Sequence, residues 1–120
     1  MAENMTNNIF RAIGIPINLA GYAQLRKSIL YCVENSLYRI NLSRDVYQYV
    51  AECFATTPQR VERNIRAVIE AAWRCGNMEA QHRYFDNTVN QLNGRPTNKE
   101  FIANITDRIV IHLRHINIKV

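Results

Sequence analysis

The sequence has few residues that interrupt helices. Only four glycines and three prolines occur in 120 residues, and these two residue types are the strongest local breakers of regular structure. Long helices joined by short turns are therefore expected. No convincing alternation of apolar and polar residues indicates strands. The tail HINIKV, residues 115–120, could form one edge strand but is too short to assign. The pattern predicts an all-α fold.

Long apolar runs are also missing. No stretch approaches the roughly 18 apolar residues that a membrane-spanning helix needs, and the N-terminus MAENMTNNIF lacks the layout of a secretory signal. Hydrophobic residues make up 48% of the chain and charged residues 21%, which is ordinary globular usage and excludes a disordered or collagen-like protein. We expect one cytoplasmic domain over residues 1–120, without membrane attachment.

Residues arranged for catalysis or metal binding are scarce. Cys32, Cys53 and Cys75 form no CxxC pair and fall among apolar neighbours in helical patterns, so all three are expected to be small buried side chains. His112 and His115 lack the third ligand that a metal site needs. No Gly-rich phosphate loop, GxSxG or HExxH motif occurs. The sequence predicts no enzyme, no metal and no cofactor.

The charge balance is basic. Fifteen Lys and Arg residues face ten Asp and Glu residues, for a formal charge of +5. Most of the basic residues are arginines, whose planar fork binds phosphates and guanine edges through two hydrogen bonds. This excess favours a polyanionic partner, above all nucleic acid.

Turn and capping residues divide the chain into six helices. Gly14 ends the first helix, Ser43 is a suitable N-cap for the third, and Thr57 with Pro58 suits the start of the fourth. Gly76 is expected to stop the fourth helix in a left-handed conformation. Thr97 or Asn98 starts the last. The predicted helices cover approximately residues 4–13, 21–37, 44–54, 58–75, 77–85 and 98–113.

The fourth predicted helix has two unlike faces. At about 100° per residue, one arc is apolar and comprises Val61, Ile65, Val68, Ile69, Ala72 and Trp73. The opposite arc comprises Gln59, Arg60, Arg63, Arg66, Ala67, Glu70 and Arg74. Glu62 lies near the border between them. The helix is therefore expected to be buried on its apolar side.

A short amphipathic helix and a short joint precede this helix, which is the arrangement of a helix-turn-helix over about residues 44–75, with a recognition helix at 58–75. Arginines can bond guanine, Glu62 can accept a hydrogen bond from cytosine, and Gln59 or Asn64 can bond adenine. Thr57, at the helix start, can bond a phosphate.

On pattern alone, two alternatives to DNA reading stay open for this face. Arg66 with Glu62 or Glu70 could form intrahelical ion pairs on a solvated surface. The same face could also dock a protein.

Three segments carry a resemblance to a known family. RVERNIRAVIEAAWRCGN is similar to SRVERAIRHAIEVAWSRGN in the C-terminal DNA-binding domain of the sporulation initiation response regulators, the stage 0 protein A family. AIGIPINLAGYAQLRKSI resembles that family's EIGVPAHIKGYLYLREAI, and RPTNKEFIANITDRI resembles KPTNSEFIAMVADKL. The segments occur in the same order and cover most of residues 9–110.

The resemblance implies a compact six-helix effector domain that binds double-stranded DNA at short boxes, as tandem copies, and regulates transcription in the bacterial nucleoid. A homodimer on tandem boxes is a further expectation. It implies base contacts from Arg60, Glu62, Arg63 and Arg66. Arg95 matches a basic loop residue near the phosphates, and we add Lys99 and Thr57 as backbone anchors. The segment at about 74–85 matches the region that contacts the RNA polymerase sigma subunit.

The sequence departs from the family pattern at several positions. Ala67 replaces a histidine, Asn64 an alanine, and Ala20 the basic residue of IKGY. The 120 residues leave no room for a phospho-receiver domain, so an excised effector domain and a stand-alone relative are both open. Because Ala20 and Ala67 each remove a polar group from the DNA side, the alternative function is a stand-alone interaction module. Such a module would modulate a full-length regulator or RNA polymerase.

Overall fold

Every regular element in the part of the chain that the structure describes is helical. The computed structural model describes residues 1–35, 41–85 and 94–119. Its helices are α1 (Ala2–Ile13), α2 (Ala20–Asn35), α3 (Tyr47–Cys53), α4 (Pro58–Cys75), α5 (Met78–Phe85) and α6 (Asn98–Lys119), with a π-helical turn at Leu42–Val46 directly before α3. The predicted all-α fold of about six helices is confirmed. None of these helices combines the length and the apolar character that crossing a membrane requires.

One predicted helix cap was wrong, and the tail that the sequence left unassigned is helical. Helical structure before α3 begins at Leu42 and is capped by Asn41, whose side-chain oxygen accepts a hydrogen bond from the backbone N–H of Arg44 at 3.0 Å. Ser43, the predicted cap, instead lies within the π-helical turn, since an asparagine two residues earlier caps equally well. The tail considered for a strand continues α6 as far as Lys119. The predicted end of α2 near Leu37 lies outside the described residues.

Glycine brings the ends of three helices together. Gly14 has a φ of 91° and caps α1 in the left-handed conformation. Gly76 ends α4, but its φ of −90° and ψ of −162° are extended, so the predicted left-handed stop was wrong. Gly76 is needed for space, because a Cβ there would collide with the carbonyl oxygens of Ile13 and Ala72. The buried Gln81 donates to both oxygens, at 3.3 and 2.8 Å.

α2 lies against both α4 and α6 in the centre of the fold. A Cβ at Gly21 would collide with the backbone oxygen of Asn64, so the start of α2 approaches α4 more closely than any other residue would allow. In the core, Phe10, Phe85 and Phe101 are fully buried. The Phe85 and Phe101 rings stack at 5.0 Å between centroids.

The three cysteines occupy different environments. Cys32 is buried on α2, as expected. Cys53 and Cys75 are exposed, so the prediction of buried side chains was wrong for both. Each is the last residue of its helix, α3 or α4, where the chain leaves the core and the apolar pattern no longer faces it.

Burial of the Cys32 thiol makes the stability of the fold depend on alkaline pH. Desolvation raises its pKa from the usual 9.0 to about 11, and the influence of the Thr106 side chain opposes this shift. Between these two pH values the unfolded thiol loses its proton while the folded thiol retains it. Stability attributable to the thiol is therefore complete below pH 9 and declines as the pH rises towards 11.

We predict that Cys32→Ala reduces the loss of stability between pH 9 and 11 by about 2 kcal/mol. The measurement is the free energy of unfolding in urea at pH 7, 9, 10 and 11. Cys75→Ser, at an exposed thiol, serves as the matched control and is expected to retain the wild-type decline. A wild-type decline in Cys32→Ala would contradict the assignment.

Candidate nucleic-acid interface

Helix α4 begins where the sequence predicted. Thr57 has an extended backbone, and its hydroxyl oxygen accepts a hydrogen bond from the N–H of Arg60 at 3.2 Å. Pro58 occupies the first helical position, where no N–H is needed. The Thr57 hydroxyl hydrogen is not used in this cap and can still be donated to a phosphate oxygen.

The joint between α3 and α4 contains a residue in an unusual conformation. Ala55 has a φ of 53°, in the left-handed region that favours glycine. Helix-turn-helix joints often contain glycine at such a turn. An alanine gives no sequence signal for this conformation. The sequence therefore predicted that the joint is short, but it did not predict the backbone geometry of the joint.

α4 has a buried rear face and an exposed front face. The rear face consists of Val61, Ile65, Val68, Ile69 and Ala72, all of them buried. The front face consists of Gln59, Arg60, Arg63, Arg66, Ala67, Glu70 and Arg74, all exposed except the half-buried Glu70. Because the rear face fixes the helix on α2, the arginines are presented to solvent from a rigid support.

Two carboxylates of α4 hold arginines by ion pairs. Glu62 accepts a hydrogen bond from Arg66 at 2.8 Å, one helical turn away. Glu70 bonds Arg95, from the segment before α6, at 3.0 Å. Both pairs are partly exposed, and such pairs contribute only about 0–1 kcal/mol. An incoming guanine can therefore replace Glu62 on Arg66, and a phosphate has access to Arg95.

Asn64 is held by a hydrogen bond to α2, although it neighbours Arg60 and Arg63 on α4. Its amide donates to the side-chain oxygen of the buried Gln24 at 3.1 Å. This bond joins α4 to α2 at the border of the front face. Asn64, which was predicted to contact a base, is thus held by another helix.

A groove gathers four of the predicted site residues. Glu62, Arg66, Arg95 and Lys99 all line it, between α4 and the segment at 95–99. The structure therefore brings together two residues predicted to read bases and two predicted to hold the phosphate backbone. Gln59, Arg60 and Arg63 lie on the adjoining front face, and Thr57 at its end.

Asn98 is a positioning residue that the sequence did not reveal. Its amide nitrogen donates to the hydroxyl of Tyr47 at 3.2 Å and to the backbone oxygen of Glu62 at 3.0 Å. One side chain at the start of α6 therefore links α3 to α4. Burial raises the pKa of Tyr47, and the Asn98 hydrogen bond opposes that shift.

The start of α6 is itself capped on both sides. The Thr97 hydroxyl accepts from the N–H of Glu100 at 3.1 Å, and the Glu100 carboxylate accepts from the N–H of Thr97 at 2.8 Å. This capping box makes Thr97 the N-cap and Asn98 the first helical residue, so each of the two predicted residues has a part in the helix start. The TNKE spacing at residues 97–100 is its signature in the sequence.

One comparison identifies relatives of the chain. A family model described as "Sporulation initiation factor Spo0A C terminal" matches residues 6–109. The match includes α4, the joint before it, and the segment at 95–99. In the three ranges that the structure describes, no group of three or more His, Cys, Asp or Glu side chains could hold a metal ion.

We predict that Asn98→Ala destabilises the fold by about 1–2 kcal/mol, because it leaves the Tyr47 hydroxyl and the Glu62 carbonyl without their donor. Urea unfolding measures this change. Asn8→Ala, at an exposed position of α1, is the control and is expected to stay within about 0.5 kcal/mol of wild type. Equal stability of the two variants would show that the linkage is unimportant.

Proposed function

Because the chain belongs to the family of sporulation initiation factor Spo0A C-terminal domains, which are DNA-binding regulatory domains rather than enzymes, we propose that it binds double-stranded DNA sequence-specifically and regulates transcription. α4 is its recognition helix. The observation that carries this proposal is the exposed arginine face of a helix whose opposite face is completely buried.

Base readout is assigned first to Arg60, Arg63 and Arg66. In the described part of the chain neither Arg60 nor Arg63 forms an ion pair, so their guanidinium groups need displace no protein partner to bond guanine. Arg66 exchanges Glu62 for its base. An arginine that bonds both acceptors of guanine discriminates against other bases by about 1–3 kcal/mol.

Glu62 discriminates between bases as a hydrogen-bond acceptor, whereas the arginines do so as donors. A carboxylate in the major groove can accept a hydrogen bond from cytosine, and it repels any phosphate or base acceptor that comes near without a donor. Gln59 is exposed at the first turn and is a weaker candidate for adenine. Asn64 is weaker still, since it would have to give up its bond to Gln24.

Backbone anchoring is assigned to Thr57, Arg95 and Lys99. Thr57 offers a hydroxyl hydrogen at the positive end of the α4 dipole. Arg95 and Lys99 line the groove beside α4, so they can reach the phosphates that flank the bases read by α4. These contacts fix the position of the helix without selecting a sequence.

Further parts of the proposal concern partners. α5 and the end of α4, residues 74–85, are proposed to contact the RNA polymerase sigma subunit; Met78 is an exposed apolar side chain there, 69% accessible. Tandem DNA boxes are proposed to be occupied by a homodimer. The setting proposed for these contacts is the bacterial cytoplasm, at the nucleoid.

We predict that Arg63→Ala weakens specific binding by about 1–3 kcal/mol and relaxes the preference at one base. Lys99→Ala is expected to weaken binding to all sequences alike and to lower the salt slope by about one. Fluorescence anisotropy measures both, on a duplex selected from a random library and on its scrambled version. Unchanged affinity and base preference in Arg63→Ala would remove α4 from its proposed role.

A second candidate function is a stand-alone interaction module that modulates a full-length regulator or RNA polymerase. Ala20 and Ala67 favour it, because both are exposed. They also flank the crossing at which Gly21 meets α4 beside Asn64 and Val68, so two polar groups of the family pattern are replaced at one place. Equal, weak and steeply salt-dependent binding to the selected and scrambled duplexes would support this alternative.

A further inference from the structure

Glu70 is an acid on a face otherwise rich in arginine. It lies one helical turn beyond Arg66 and one turn before Arg74, and its carboxylate bonds Arg95 at 3.0 Å. We propose that Glu70 is a positioning residue for DNA binding: it holds the Arg95 guanidinium beside α4, where that group meets a phosphate. This inference rests on the proposed function of α4 and adds a role for the carboxylate on its front face.

The backbone that carries Arg95 is already fixed by other contacts. Pro96 is buried, Thr97 and Glu100 form the capping box, and Asn98 bonds both α3 and α4. These contacts fix the backbone at Arg95 but do not order its long side chain. Ordering a long side chain at an interface weakens binding unless it is already held in the bound arrangement.

The geometry of the ion pair leaves Arg95 able to bind DNA. One terminal nitrogen, Nη2, bonds Glu70, and a guanidinium has five N–H donors in all. The remaining donors can bond a phosphate while the carboxylate keeps its own contact. The side chains of Arg95 and Glu70 are 41% and 37% exposed, so a phosphate has access to the pair.

A purely electrostatic role for Glu70 predicts the opposite behaviour. A carboxylate on the DNA-facing side repels phosphate, so its removal would strengthen binding if it did nothing else. Glu70→Ala removes both the charge and the oxygen that holds Arg95. Glu70→Gln removes the charge but keeps a side-chain oxygen that can accept from Arg95. The two variants therefore separate repulsion from positioning.

The test is a double-mutant cycle measured by anisotropy at fixed salt, on the duplex that wild-type protein selects from a random library. Glu70→Ala is expected to bind about 3- to 5-fold more weakly than the charge-matched control Glu34→Ala, a difference within the range of one partly exposed ion pair. Glu34 is exposed near the far end of α2, about 20 Å along that helix from its crossing with α4. Glu70→Gln is expected to bind at least as tightly as wild type.

The decisive comparison is the effect of Arg95→Ala with and without Glu70. Arg95→Ala is expected to weaken binding less in the Glu70→Ala background than in wild type, because an unheld Arg95 contributes less. An equal loss in both backgrounds, or Glu70→Ala binding as tightly as Glu34→Ala, would overturn the inference. A lowered unfolding temperature alone does not produce this coupling, so a merely structural role is distinguished.

The same titrations separate this inference from the proposed function. If Arg63→Ala loses specific binding while the Glu70–Arg95 coupling is absent, only the role of Glu70 is refuted. If neither Arg63→Ala nor Arg95→Ala changes binding to the selected duplex, the proposed DNA interface fails and this inference fails with it.

Discussion

The close contact between α2 and α4 is the constraint on which the candidate interface depends. Gly21 has no side chain, so the start of α2 reaches the backbone oxygen of Asn64, and the buried rear face of α4 packs beside it. Neighbouring bonds refine the arrangement: Asn64 joins α4 to Gln24, and Asn98 joins it to α3. The front face is therefore rigid because of what lies behind it.

Two weak ion pairs hold arginines at the candidate interface. Glu62 and Glu70 each hold one arginine at hydrogen-bond distance, and the partial exposure of both pairs keeps their stability contribution small. Arg66 and Arg95 are thus ordered in the free protein by partners that hold them only weakly. A buried ion pair in the same places would have kept a DNA group away from its arginine, since separating or exposing buried charges costs several kcal/mol.

The sequence predicted those features that depend on local pattern. The six helices, the Thr57 cap and the two faces of α4 follow from periodicity and capping residues, and the resemblance supplied the family. Features set by tertiary contacts were missed. The exposure of Cys53 and Cys75 depends on where the helices end, the extended Gly76 on space beside Ile13, and the role of Asn98 on three segments distant in sequence. The predicted roles in DNA binding remain predictions.

If α4 reads bases as proposed, the spacing of the front-face arginines limits how much sequence one copy can read. From Arg60 to Arg66 the helix rises about 9 Å, which matches about three base pairs at 3.4 Å each. A sequence of about three base pairs recurs by chance every few dozen base pairs. A genome offers roughly 10⁶–10⁹ competing sites. A single copy that read DNA in this way would therefore recognise too short a sequence to mark one promoter. Repeated copies of that DNA sequence, each bound by its own copy of the protein, would have to supply the remaining specificity.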